Sequence, residues 1–199
     1  VSTSPLFQVL RRPLQQVAEL GRIRSFMNQE PPVFGPESKV LLAYEPALER
    51  LLEGHPDPPD LAPDAAKARL FRVLGQVFAG LAAWAPVLLI LDNLQEADEL
   101  SLEFLVDWVP RLREANVPLL LLASCRSEEL SSRPALARLC REEPGELLEI
   151  EALDKDAVAS MMIEMLALPK SSRRLAAFLH QHSEGNPLFV AEYLKTAVD

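Results

Sequence analysis

Cysteine and histidine are scarce in this sequence. Its 199 residues include two cysteines, Cys125 and Cys140, and three histidines. Structural zinc sites take four cysteine or histidine ligands at short spacings, and disulfide frameworks take several pairs of cysteines. The sequence therefore predicts two reduced cysteines, with neither a zinc site nor a disulfide.

Long apolar runs and an excess of basic residues are also missing. The longest apolar stretch, residues 81–91, is interrupted by Pro86 and is too short to span a bilayer. Twenty basic residues stand against 29 acidic ones, and the resulting net charge of −9 argues against binding to nucleic acid phosphates. The first residues show no basic segment followed by an apolar core, so a secretion signal is not expected. We expect a cytoplasmic protein with no membrane or nucleic acid partner.

The first 63 residues predict a helical segment that ends in a proline-rich connector. Apolar positions at helical spacing predict one helix that starts at Ser4 and Pro5 and ends at Gly21. They predict a second helix over residues 37–53, interrupted by a proline. Four prolines between residues 55 and 63 exclude a regular helix there.

Residues 64–153 alternate between helical and strand patterns. Helices are expected over 64–84, 98–112 and 134–142, and strands over 87–92, 118–124 and 146–151. This alternation predicts an α/β fold in which helices cover both faces of a parallel sheet. The remainder, residues 154–199, predicts three further helices, over 154–166, 171–182 and 187–198.

The strand at 87–92 carries the most specific motif. Five apolar residues lead to Asp92, a pattern that delivers a carboxylate to the magnesium ion of a nucleotide and is known as Walker B. The alternative is an ordinary turn or capping acid. A Walker B strand works with a glycine-rich phosphate loop of the form G-x-x-x-x-G-K-[ST], which does not occur in residues 1–86. The sequence therefore shows half of an ATP site.

Three local motifs occur in a characteristic order along the chain. The first is Ile90-Leu-Asp-Asn-Leu-Gln-Glu-Ala-Asp98, the second is Ser124-Cys-Arg-Ser-Glu-Glu129, and the third is Ser183-Glu-Gly-Asn-Pro-Leu-Phe-Val-Ala-Glu192. Together they resemble the Walker B segment, the sensor and the lid motif of the AAA-like ATPase module of signal-transduction (STAND) NTPases. That module is joined to bacterial serine/threonine kinases, adenylate cyclases and LuxR-type transcription regulators.

The resemblance implies a truncated P-loop NTPase-like parallel sheet of about three strands, flanked by helices and followed by a C-terminal helical lid. It divides the chain into a helical segment (1–63), an α/β nucleotide-binding core (64–153) and the lid (154–199). The cofactors of the intact parent would be ATP and Mg²⁺. Its missing phosphate-loop strand would lie beside the strand at 146–151, so we expect the sequence to be a fragment of a longer polypeptide.

The resemblance also implies roles for individual residues. Asp92 would hold magnesium through water, with Asn93 beside it, and Arg126 would contact a phosphate, although pairing of Arg126 with Glu128 or Glu129 is an alternative. The lid residues near the adenine would be Gly185, Asn186 and Pro187, of which the last two also suit a plain helix start. Candidate catalytic carboxylates are Glu96 and Asp98, and Asp98 also suits a helix cap.

Two residues depart from the family pattern. Asn93 stands where the family has a second acid, and an amide cannot act as a general base. Glu96 stands where the family has a tryptophan.

The resemblance implies that the chain is part of a regulatory ATP-binding switch of a bacterial multidomain signalling protein, and that it is unable to bind ATP tightly alone. Its partners would be the upstream phosphate-loop segment or a second copy of the chain, and proteins of a signalling pathway. The alternative is a nucleotide-free scaffold that keeps the ATPase fold and binds other proteins.

Overall fold

Two short strands, β1 (Val87–Leu91) and β2 (Leu119–Ala123), pair in parallel, with Val87 opposite Leu119 and Leu91 opposite Ala123. The chain between them forms the helix α3 (Glu99–Ala115), so the three elements make one β-α-β unit. The computed structural model describes residues 8–26, 33–141, 145–169 and 172–198, without the side chains of 22–26, 113, 115, 197 and 198. The predicted mixed α/β class and the parallel pairing of these two strands are confirmed.

The chain divides into two compact units, residues 1–147 and 148–199. In the first unit the helices α1 (Gln8–Phe26), α2 (Pro63–Trp84), α3 and the short α4 (Pro134–Leu139) accompany the sheet. The second unit contains α5 (Lys155–Leu166), α6 (Arg173–Ser183) and α7 (Pro187–Val198). None of the described helices is long and apolar enough to cross a membrane.

Aromatic side chains hold α2 against α3 in the core of the first unit. The ring centroids of Phe71 and Phe104 are 5.6 Å apart, and Trp108 lies 5.2 Å from both Phe78 and Phe104. Such aromatic pairs stabilise a core beyond the area they bury. Gly75 allows the close approach, because a Cβ atom there would lie 2.9 Å from the Trp108 ring.

The first helix does not end where the sequence predicted. Its start at Ser4 and Pro5 lies outside the described residues, but α1 continues through Gly21 to Phe26, so the predicted end at Gly21 is wrong. Gly21 instead provides space, because a Cβ atom there would clash with the side chain of Leu51. The second predicted helix is replaced by two 3-10 helices, Ser38–Ala43 and Pro46–Leu51, which meet at the proline expected to interrupt it.

The third predicted strand, residues 146–151, is not a strand in this structure. The segment has no regular secondary structure, and within the described residues β1 and β2 pair only with each other. Leu148 is 79% exposed and Ile150 is 91% exposed. A strand forms only where neighbouring backbone groups complete its hydrogen bonds, and the described chain places no such neighbour beside this segment.

One face of the sheet carries four exposed aliphatic side chains and is called the open face here: Leu88, Ile90, Leu120 and Leu122, each 56–65% exposed. The pairing register and the alternation of side chains place all four on the same side. Leu89 and Leu91 on the opposite side are buried in the core. Within the described residues of the first unit, helices therefore cover one face of the sheet and leave the other exposed, whereas the sequence predicted that both faces are covered.

The second unit is a three-helix assembly with its own small core. Asp154 caps α5 by accepting a hydrogen bond from the Ala157 amide at 2.7 Å, and Ser172 caps α6. The predicted start of that helix at Ser171 and the predicted end of the helix over 134–142 lie outside the described residues. The buried residues of this core come from all three helices: Val158, Met162, Ala176, Leu179, Val190 and Leu194.

Candidate functional site

The two strands deliver polar residues to one edge of the sheet, because parallel strands have their carboxyl ends on the same side. Asp92 follows β1 and Ser124 follows β2. Backbone hydrogen bonds continue past the strands, from the Ser124 amide to the Leu91 carbonyl at 3.0 Å and from the Leu94 amide to the Ser124 carbonyl at 2.8 Å. These two bonds fix the relative positions of the segments that carry the predicted site.

Asp92 is exposed, and one of its oxygens is held by two donors. Its Oδ1 accepts hydrogen bonds from the Ser124 hydroxyl and, at 3.1 Å, from the Asn93 amide. The Asn93 amide also donates to the Ser124 Oγ at 3.0 Å. The hydrogen bonds described for Asp92 all engage Oδ1, so they orient the carboxylate and use one of its two oxygens.

Gln95 joins the end of β1 to the end of β2. Its side-chain nitrogen donates to Asn93 Oδ1 at 3.0 Å, and its side-chain oxygen accepts from the Arg126 amide at 3.2 Å. Asn93 has a left-handed backbone with φ of 58°, a conformation that asparagine tolerates better than most residues. Through these bonds the structure brings together Asp92, Asn93 and the backbone of Arg126, and a shared role for them in binding a nucleotide stays a prediction.

Arg126 itself has an exposed side chain. The described ion pairs include none between Arg126 and Glu128 or Glu129, so that alternative is not supported by the geometry.

Arg133, at the start of α4, clamps the loop that follows β1. Its two terminal nitrogens donate to the Gln95 carbonyl at 2.5 Å and to the Ala97 carbonyl at 2.7 Å. Glu99 lies 3.9 Å from the same guanidinium. Because hydrogen bonds from a charged donor are stronger than neutral ones, this fork fixes the loop that presents Gln95 and Glu96.

The two candidate catalytic carboxylates have different surroundings. Glu96 is exposed on a short 3-10 turn over Leu94–Glu96. Asp98 caps α3, because its carboxylate accepts from the Ser101 amide at 3.0 Å and from the Ser101 hydroxyl at 2.6 Å. A further bond comes from the Gln8 amide at 3.0 Å. The geometry gives Asp98 a structural role as a cap, and a role in hydrolysis stays a prediction for both residues.

The Gly185-Asn186-Pro187 motif lies in the second unit and has a clear local role. Gly185 has φ of 74°, and a Cβ atom there would clash with the Leu153 carbonyl. Its own carbonyl accepts from the Leu153 amide at 2.9 Å. Asn186 accepts from the Leu188 amide at 2.9 Å, and Pro187 begins α7, so the predicted helix start is confirmed.

A magnesium ion would find one suitable ligand at this edge of the sheet. Within the described residues, no three histidine, cysteine or acidic side chains cluster closely enough to hold a metal by themselves. A single carboxylate suits an ion that keeps its waters and takes its remaining oxygens from substrate phosphates, which is the usual magnesium arrangement. The described residues therefore supply one carboxylate at the place where the sequence predicted a magnesium ligand, and magnesium binding there stays a prediction.

A separate cleft of about 610 Å³ lies elsewhere, between α2 and α3. Its charged lining residues are largely paired with each other, Arg72 with Glu37 and Arg111 with Asp107 at 2.6 Å. Arg69 donates to the Pro59 carbonyl at 2.7 Å. The cleft offers no clear preference for a ligand of either charge.

Sequence reasoning missed three residues of the site: Ser124, Gln95 and Arg133. Ser124 had one available signal, since it ends the second apolar run just as Asp92 ends the first.

No known protein family matches the chain, and neither the curated proteins nor the solved structures include a match.

Proposed function

We propose that this chain is the magnesium-and-sensor half of a regulatory ATP-binding switch domain in a bacterial multidomain signalling protein. The observation that carries the proposal is the network that joins Asp92, Ser124, Gln95 and the Arg126 backbone. It lies at the carboxyl edge of a parallel sheet, which is where ligands bind in open α/β folds.

In this proposal Asp92 binds magnesium through water, and Ser124 holds the Asp92 carboxylate in place. Arg126 contacts a terminal phosphate of ATP, because a guanidinium fork matches phosphate oxygens. Asn93 supports the turn and cannot serve as a general base. Glu96 is the exposed carboxylate of the loop and the candidate to orient an attacking water. The nucleotide roles of Gly185, Asn186 and Pro187 are predictions from the resemblance alone.

A further segment with a phosphate loop would supply the missing half of the site. Phosphate loops contribute backbone amides and a lysine to the β- and γ-phosphates. The open face of the sheet supports this part of the proposal, since parallel sheets are almost always covered on both faces. Without such a segment, the proposed contacts to ATP at this edge of the sheet are limited to those of Asp92 and Arg126.

The proposal is tested by calorimetric titration of this chain with ATP and magnesium. We expect a dissociation constant above about 1 mM, because the main phosphate contacts are absent. Asp92→Asn preserves the shape of the side chain and removes its charge, so it is the informative variant. Micromolar binding that Asp92→Asn abolishes would show a complete site in this chain and would overturn the half-site proposal.

A second candidate function is a nucleotide-free scaffold that binds other proteins. It is favoured by the amide at Asn93 and by exposed apolar side chains on the helices of the second unit, namely Phe178, Leu188, Phe189 and Tyr193. Contiguous exposed apolar surface commonly marks a protein interaction site. Absence of ATP binding in the natural polypeptide that carries this sequence would favour this candidate.

A further inference from the structure

The hydrogen bonds between β1 and β2 continue beyond the strands with the help of a side chain. The Ser124 amide donates to the Leu91 carbonyl at 3.0 Å. In a regular parallel ladder the next amide to donate would be that of Arg126, and its acceptor would be the Asn93 carbonyl. The Arg126 amide instead donates at 3.2 Å to the side-chain oxygen of Gln95. Gln95 therefore supplies the acceptor that the backbone of a longer strand would have supplied.

The backbone of Asn93 explains why a side chain is needed. Asn93 has φ of 58°, so the chain leaves the direction of the strand at this residue. Its carbonyl accepts a hydrogen bond from the Glu96 amide at 2.9 Å, which closes the 3-10 turn over Leu94–Glu96. Because the turn uses the Asn93 carbonyl, the acceptor described for the Arg126 amide is the Gln95 side chain.

Gln95 is held through its backbone as well as through its side chain. Its side-chain nitrogen donates to Asn93 Oδ1 at 3.0 Å, while the side-chain oxygen accepts from Arg126. Its backbone carbonyl accepts from the Arg133 guanidinium at 2.5 Å. These bonds fix the rotamer of Gln95, so the acceptor for the Arg126 amide is preorganised.

We propose that Gln95 is a positioning residue for Arg126, an inference that rests on the proposed ATP-binding function. Gln95 fixes the backbone from which the Arg126 guanidinium reaches a phosphate, at a constant place relative to Asp92. A guanidinium on a fixed backbone loses less conformational freedom on binding than one on a loose loop. Gln95 therefore increases the affinity for ATP, and it does so through Arg126.

The geometric part is tested on the chain without nucleotide, by amide hydrogen exchange. Gln95→Met keeps the approximate length of the side chain and removes its amide, so the Arg126 amide should exchange about fivefold faster or more. Gln95→Glu keeps an oxygen acceptor and should retain the slower exchange. An unchanged exchange rate of the Arg126 amide in Gln95→Met would overturn the proposal.

The functional part is tested by magnesium-dependent binding of ATP to the natural polypeptide that carries this sequence. We expect Gln95→Met to weaken binding about fivefold or more when Arg126 is present, and to have no further effect in the Arg126→Gln background. A general loss of structure would weaken binding in both backgrounds, so the double-mutant cycle separates positioning from stability. The matched control is Gln16→Met, which replaces an exposed glutamine of α1 and should bind normally.

Asp92→Asn distinguishes failure of the positioning role from failure of the proposed function. If Asp92→Asn weakens ATP binding and Gln95→Met does not, the positioning role is overturned and the ATP site stands. The same holds if Gln95→Met weakens binding equally with and without Arg126. If the unmutated polypeptide does not bind ATP, or if Asp92→Asn binds it equally well in magnesium, the proposed function fails and the positioning role fails with it.

Discussion

Gly185 occupies a position that excludes every side chain. Gly185 and Gly54 both have a left-handed backbone. A Cβ atom at Gly54 would meet nothing within 4 Å, whereas a Cβ atom at Gly185 would meet the Leu153 backbone. We expect Gly54→Ala to cost about 1 to 2 kcal/mol from backbone strain alone. Gly185→Ala should cost at least about 2 kcal/mol more, because backbone atoms must shift.

The comparison is made by urea unfolding together with amide hydrogen exchange, which reports on each unit separately. Gly54→Ala is the matched control for the effect of the left-handed conformation. Equal losses in the two variants would show that the Leu153 contact has no energetic importance. In that case local packing would not explain why a glycine occupies position 185 of the Gly-Asn-Pro motif.

The residues at the end of each strand were predictable to different degrees. Asp92 was singled out because it follows an apolar run directly, and Asn93 and Arg126 because they belong to motifs that resemble the family pattern. Gln95 and Arg133 were not, since their roles depend on hydrogen bonds between segments more than 30 positions apart. Such bonds leave no periodic pattern in a sequence.

The helix α3 begins at a cap that can be tested by replacement. Asp98→Ala removes the acceptor for the Ser101 amide and should lower the free energy of unfolding by about 1 to 2 kcal/mol. Asp98→Ser retains a capping oxygen and should recover about half of that loss or more. Urea unfolding of the two variants measures the difference. A serine variant as unstable as the alanine variant would contradict the capping role.

Helices were more predictable than strands in this chain, for a physical reason. The helices at 154–166 and 187–198 satisfy their own backbone hydrogen bonds, and their caps, Asp154 and Asn186, are local. The segment at 146–151 has a strand pattern, but a strand depends on a neighbour that a local pattern cannot reveal. Gly21 was misread as a helix end because its partner, Leu51, is distant in sequence.

The open face of the sheet leads us to expect that copies of the chain associate in solution. Its four side chains are each more than half exposed and lie on the same side of the sheet, and an exposed apolar patch of this kind favours association. We expect the double variant Leu120→Lys with Leu122→Lys to change stability by less than about 1 kcal/mol, because both side chains are already exposed.

The same variant should reduce concentration-dependent association, measured by light scattering over a range of protein concentrations. Leu91→Lys is the contrasting variant, since Leu91 is buried in the core and a charge there should unfold the first unit. Unchanged association in the double lysine variant would show that the open face is not the surface through which copies of the chain meet.

The central claim is that Asp92 binds the magnesium of a nucleotide. It is tested most directly by equilibrium binding of ATP to the natural polypeptide that carries this sequence, with and without magnesium. We expect Asp92→Asn to weaken binding at least tenfold with magnesium, a loss of about 1.4 kcal/mol or more, and to have little effect in EDTA. Asp107→Asn, which removes a surface carboxylate paired with Arg111, should bind normally in both conditions. Equal affinities of Asp92→Asn and the unmutated protein in magnesium would contradict the claim.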